Sequence, residues 1–217
     1  MQGIPIGEDR PSLLHRIDPW SDFKAGLHYL RHDRRISSAL MQLTLLYSVF
    51  AALMVLAINL VQVLGLKSNQ FGFLLAAAGV GMVLGAGLLG QWGDRYSRQP
   101  LPLLGFLIMG LALAVFTLVH HLAIGLGLSV LLGIGAAMIG VPMQTLIQKQ
   151  TPESMRGKVF GFQNNLVNIA LSVPLAIAGP LTDWLGLRGV LLGMSLLVMV
   201  GGGWAWQRGN PMFQDAI

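Results

Sequence analysis

The sequence predicts an all-α membrane protein with six transmembrane helices, and three observations carry that prediction. Of 217 residues, 54% are hydrophobic and only 11% are charged, with a mean hydropathy of +0.66. An average soluble domain is about 25% charged, so too little charge is present to coat a water-facing surface, and a soluble globular fold is excluded. Six apolar runs follow a polar start, each long enough to cross a hydrocarbon core that takes about 20 residues. Every Lys, Arg, Asp and Glu falls outside the middle of those runs. The chain also has no cysteine, which removes disulfide frameworks, thiolate metal sites and Cys nucleophiles together.

Residues 1–37 read as a cytoplasmic leader, 38–206 as the six-helix transmembrane domain and 207–217 as a cytoplasmic tail. In the leader, Asp18-Pro19 has the form of an N-cap and first helical position. Trp20, Phe23, Leu27 and Leu30 then make one apolar stripe opposite Lys24, His28 and Arg31. That pattern suits a helix lying in the cytoplasmic membrane face, with packing against protein as the alternative. The apolar runs cover 36–66, 71–92, 101–120, 122–147, 159–180 and 189–206.

Charge placement orients these runs. Six Lys/Arg precede the first run, two separate the second from the third, three separate the fourth from the fifth, and one follows the sixth. The remaining two occupy the intervening turns, as Lys67 and Arg188, so the alternate sides hold twelve and two. The positive-inside rule then predicts a multi-pass protein of the cell (inner) membrane with both termini in the cytoplasm. The pI near 10.1 is thereby read as sidedness, with no nucleic-acid partner. No carboxylate or ammonium sits in mid-membrane, so the chain shows no proton relay of its own.

Polar residues sort the helices. At 100° per residue, Thr44, Ser48, Asn59 and Gln62 of the first run fall within an arc of about 60°. On the fifth run Asn164, Asn168 and Ser172 follow at four-residue spacing, with Gln163 and Asn165 beside them. The fourth brings Gly125, Ser129, Gly133, Ala137 and Gln144 to one side, followed by Gln148, whereas well inside the span the third carries only Thr117 and the sixth only Ser195 as polar residues. Because a polar side chain in lipid costs free energy unless it meets a partner or water, the first, fourth and fifth runs should face an interior, and the third and sixth lipid. Hydrogen bonding between helices and a water-accessible cavity both account for such faces. In the second run, Gly81-x-x-x-Gly85 predicts close backbone approach to another helix.

The turn after the second run reads Gly90-Gln-Trp-Gly-Asp94-Arg95-Tyr-Ser-Arg98-Gln-Pro100. It resembles the signature G-x-x-x-D-R-x-(G)-R-(R/K) of the major facilitator superfamily, with Ser97 in place of the usual glycine and Gln99 in place of a usual base. The run Phe23-Lys-Ala-Gly-Leu-His-Tyr-Leu-Arg31 resembles the segment before the seventh helix of those transporters, and Gly65-Leu-Lys-Ser-Asn-Gln-Phe-Gly72 the outer turn before the eighth. Thr151-Pro-Glu-Ser-Met-Arg-Gly-Lys-Val-Phe-Gly161 resembles the loop between the tenth and eleventh, and Gly179-Pro-Leu-Thr-Asp-Trp-Leu-Gly-Leu-Arg188 the turn after the eleventh. Gly90-x-x-x-Asp94 also recurs as Gly179-x-x-x-Asp183 three helices later, the mark expected of a 3+3 inverted repeat.

This resemblance implies the C-terminal six-helix half of a major-facilitator fold, most like the bacterial drug, macrolide and siderophore exporters. It implies alternating-access movement of a small-molecule solute across the bilayer, in the efflux direction, with no cofactor. It also implies a gating motif of Gly90, Asp94, Arg95 and Arg98. The acid would lie near a helix N-terminus of a second six-helix half, or of a homodimer partner. Thr44, Ser48, Asn59, Gln62, Gln144, Gln148, Asn164, Asn168 and Ser172 are the candidate cavity residues.

Other classes fit less well. A membrane serine protease would need a Gly-x-Ser-Gly run, which is absent, and His120-His121 has no nearby acid to complete a metal site. No G-x-x-x-x-G-K-[ST] phosphate loop is present. A non-transporting remnant or assembly protein remains the alternative, since six helices with a polar face need something to shield it.

Overall fold

The computed structural model describes residues 34–65, 67, 70–96 and 101–209, and only the backbone at 34, 92–96, 154 and 205–209. The leader stripe at 20–30, Arg98 and the tail beyond 209 lie outside the described residues.

The described chain is helical because its aliphatic segments must satisfy every backbone N–H and C=O internally when surrounded by hydrocarbon. Helix α1 is Arg34–Val63, α2 is Gly72–Tyr96, α3 is Leu101–Phe116 and α4 is Leu122–Gln150. A 3₁₀ turn, Glu153–Met155, leads into a helical element, Arg156–Gly209, of 54 residues. Gly186 breaks that element with φ 73° and ψ 160°, giving α5 (156–185) and α6 (187–209). Four stretches are long and apolar enough to cross a membrane, namely Arg35–Val63, Gly72–Gln91, Leu122–Gln150 and Arg156–Trp204, and Leu101–Phe116 is a shorter apolar helix. The 49 residues of Arg156–Trp204 exceed the 17–25 or so of one pass and hold both the fifth and the sixth runs.

The six runs thus become six helices, but their ends differ from the expected ones. Helix α1 stops at Val63 because Gly65 takes φ 78°, the left-handed conformation that closes many helices. Helix α3 stops at Phe116, where i→i−3 bonds from Thr117, Leu118 and Val119 and a Thr117 Oγ1 bond to Ala114 O tighten the chain. Helix α4 runs on to Gln150, where Thr151 donates both its N–H and its Oγ1 to Ile147 O. Helix α5 passes through Pro180 and ends only at Gly186, because a missing N–H is tolerated in a membrane helix whereas φ 73° with ψ 160° belongs essentially to glycine.

Helix α4 is the centre of the bundle and packs on α1, α2 and α3. Small residues set its crossings. A methyl group at Gly81 would collide with Val130 O, one at Gly133 with Ala78 O, and one at Gly85 would stand 2.8 Å from Ala137 Cβ. The close approach expected of Gly81 and Gly85 is therefore made to α4. Gly105 of α3 and Gly135 of α4 oppose one another, each 2.6–2.8 Å from the other's carbonyl if given a methyl. Helix α6 runs antiparallel to α3, with Gly202 on Phe106 and Ser195 Oγ donating to Gly110 O at 2.7 Å. Around these crossings Ile36, Leu43, Leu56, Phe106, Met109, Leu113, Ile139, Met143, Ile147, Val159 and Leu191 are fully buried.

Of the two readings that its composition leaves open, the small-residue face of α4 takes contact between helices. Gly125 sits against Leu64, just past the end of α1, Ser129 bonds its own helix at Gly125 O, and Gly133 and Ala137 meet α2. These residues are buried contacts inside the bundle, and the exposed face of α4 is mostly apolar, with Ile124, Leu131 and Val141. On α3, Leu104, Leu107, Leu111 and Val115 form an exposed apolar stripe, as do Leu192, Leu196, Val200 and Trp204 on α6.

Candidate functional site

Two regions hold the sequence-predicted site residues. The first is a pair of polar faces on α1 and α5. On α1 the core side carries Ile36, Leu43, Leu46, Leu53, Leu56 and Leu60, all buried. The opposite side carries Thr44, Ser48 and Asn59, half-buried, and Gln62, exposed. Thr44 Oγ1 donates to Leu40 O at 2.7 Å, so that hydroxyl is satisfied within its own helix. On α5 Asn164, Asn165, Asn168 and Ser172 are all exposed, while Val159, Gln163, Ala170 and Ala178 turn inward. The neighbouring exposed positions Ile169, Val173 and Ile177 are apolar. Helix α5 therefore carries buried contacts, an exposed amide-rich strip and further exposed apolar positions suited to lipid.

Gln144 and Gln148 stand near the C-terminal end of α4. Gln148 is exposed. Gln144 is half-buried and accepts a hydrogen bond from Gln163 Nε2 of α5 at 2.7 Å, so the fold joins these two glutamines across helices.

Gln42 was not singled out in the sequence, because it lies on the apolar side of α1, away from Thr44 and Ser48. It is 8% exposed, its Nε2 donates to Ser38 Oγ at 3.4 Å, and its Oε1 is buried without a partner among the described residues. Gln163, 9% exposed, has a similarly unpartnered Oε1. The signal available in the sequence was an amide standing among core positions of an otherwise apolar face.

The second region is the end of α2. Gly90 lies inside the helix with open space around it, and α2 continues to Tyr96. Asp94 and Arg95 are thus in the last helical turn, not in a loop after a glycine stop. Asp183 occupies the same place on α5, exposed and in its last turn, and each helix ends six residues after its glycine, at 96 and at 185. An acid in the last turn opposes its own helix dipole by about 0.3–1 kcal/mol, so neither aspartate is there to stabilise the helix that carries it. In the turn after α4, exposed Arg156 and Glu153 approach at 3.5 Å, a surface pair that adds little.

Comparison with known proteins gives these regions a context. The profile of the Major Facilitator Superfamily matches residues 38–211. The chain is 29% identical over 134 residues to "Multidrug efflux pump Tap" of Mycolicibacterium fortuitum, covering 62% of this chain and 33% of that protein. It is 28% identical over 122 residues to "Multidrug resistance protein 2" of Bacillus subtilis, covering 56% and 29%. Against "Uncharacterized MFS-type transporter YfmI" of the same organism, identity is 22% over 205 residues, covering 91% and 50%. The chain thus spans between about a third and half the length of these curated relatives. No solved structure matches it.

Proposed function

The chain belongs to the major facilitator superfamily, and on that premise we propose that it forms the C-terminal half of a secondary transporter that exports a small solute by alternating access. The exposed amide strip of α5 carries this reading. Asn164, Asn165, Asn168 and Ser172 in one strip of a long membrane helix are costly against lipid and fit a water-filled solute path. Thr44, Ser48, Asn59 and Gln62 on α1 and Gln148 on α4 line the same path, while Gln144 braces it from behind. Relatives named as multidrug pumps support the export direction. Amides and hydroxyls without charge suit a neutral or mixed-character solute.

Six helices with such faces require a shield, supplied by a second six-helix half or by another copy. Transporters with inverted repeats hold the solute between units near the midplane and rock one unit against the other. Asp94, with Arg95 and Arg98, acts as a cytoplasmic latch. An acid in the last turn of α2 is unfavourable to its own helix dipole and would be attracted by a positive helix N-terminus of the facing unit. The twelve-to-two division of basic residues supports a cytoplasmic location of both termini and of this latch in the inner membrane.

The latch is tested by Asp94→Asn in a transport-competent assembly. Solute export should slow about tenfold, the factor equivalent to ~1.4 kcal/mol of lost charge–dipole attraction in a partly buried geometry, with the same amount of protein in the membrane. Export at the parental rate removes the latch role.

A further inference from the structure

Gln163 is the one amide of the run Gln163-Asn164-Asn165 that turns into the bundle. Its Nε2 reaches Gln144 Oε1 on α4 at 2.7 Å, and its own Oε1 is buried without a partner among the described residues. A leucine would fill the same volume without an unpaired acceptor, and a buried unpaired acceptor destabilises. Stability is therefore not what this amide contributes. Single buried amides in helix interfaces act elsewhere as register keys, choosing one arrangement among several of similar energy.

Helix α5 needs such a key. Its other inward contacts near Gln163 are apolar, with Val159 and Ala170 buried and Phe160, Phe162 and Leu166 packed partly buried against the core, and none of them is directional as a hydrogen bond is. Asn164, Asn168 and Ser172 stand about 100° to 180° around the helix from Gln163. With Gln163 held inward by Gln144, that strip must point away from the bundle. Without the bond, a rotation of α5 carries the strip away from that direction, toward lipid or toward the core.

We propose that Gln163 is a positioning residue whose bond to Gln144 sets the rotation of α5 and so aims the amide strip into the solute path. This rests on the solute-path reading given above. Gln144 then serves the path by orienting a neighbouring helix.

The absence of cysteine from the chain supplies the experiment. Single Asn168→Cys and Ala170→Cys variants are made in membrane vesicles carrying the full chain, and their rates of modification by a charged, membrane-impermeant maleimide are measured. The Asn168→Cys variant should react and the buried Ala170→Cys variant should not. Adding Gln163→Leu should lower the Asn168→Cys rate about three- to fivefold, the population shift that one interhelical hydrogen bond permits. Gln144→Leu should do the same, and the two together should do no more than either alone. Gln163→Asn, one methylene too short for a 2.7 Å bond, serves as a milder variant should the leucine reduce insertion, and it should lower the rate in the same direction. An unchanged Asn168→Cys rate in these backgrounds, or fully additive losses, overturns the positioning role. An Asn168→Cys variant that never reacts, even with Gln163 intact, instead overturns the solute path itself.

Discussion

Single residues divide sharply into those that the packing forbids to change and those that it leaves free. Gly133 lies so close to Ala78 O of α2 that a side chain there must push backbone, and overpacking of this kind costs about 1–3 kcal/mol or more. Gly127, two turns earlier on the same helix, has nothing within 4 Å. Gly133→Val should therefore lower the thermal midpoint of the detergent-purified protein by many degrees, while Gly127→Ala leaves it unchanged or slightly raised, since alanine is favoured over glycine in a helix by about 1 kcal/mol. Equal effects of the two would mean that α2 and α4 do not cross at Gly133. The sequence made the Gly81/Gly85 contact readable through its spacing, but did not reveal its partner. The partner is the small-residue stripe of α4, for which composition left both a cavity and a helix contact open, because small residues look alike whether they face a void or a neighbouring backbone. Gln42 escaped notice for the opposite reason, as an amide on the side where only apolar groups were expected.

Helices as elements were legible in number, order and approximate place, because hydrocarbon permits few alternatives to a continuous helix and twenty-residue apolar runs are unmistakable. Their ends were not, since termination here depends on backbone geometry that apolar composition does not encode. Gly186 shows this well. The sequence around 179–188 marks a turn, yet neither Pro180 nor Gly179 makes it. Gly186 does, with φ 73° and ψ 160°, a conformation that costs other residues about 1–3 kcal/mol. Gly193, in α6, has ordinary helical geometry and open surroundings. Gly186→Ala should therefore destabilise the protein by about that amount and increase proteolytic cutting between α5 and α6, whereas Gly193→Ala should do neither. Identical digestion of both variants and the parent would place the reversal elsewhere. Ser195 illustrates the milder case. Its bond to Gly110 O joins α6 to α3 across 85 residues, and Ser195→Ala should cost only about 0.6 kcal/mol, the average of such bonds in membranes, measured by the same unfolding.

For the molecule as a whole, burial is uneven in a way that suits one unit of a larger machine. Half of the spanning windows of α1 and α4 is buried within the described bundle, against 17% for α2. The orientation proposed above rests on charge. A fluorescent protein fused after Ile217 should glow in the cytoplasm, and a phosphatase inserted after His121 should be active outside, because the turn between α3 and α4 carries no Lys or Arg. Reversed reporter activities would overturn the assigned sidedness and move Asp94 away from the cytoplasm. The central claim, that this chain exports a small solute, is tested most directly by release of Nile red, a neutral amphiphile, from preloaded energised cells. Cells carrying the chain, assembled with its facing half or with a second copy, should release the dye faster than cells without it, and the rate should saturate with dye concentration. Identical release from both, with the chain shown to be inserted, would contradict the account.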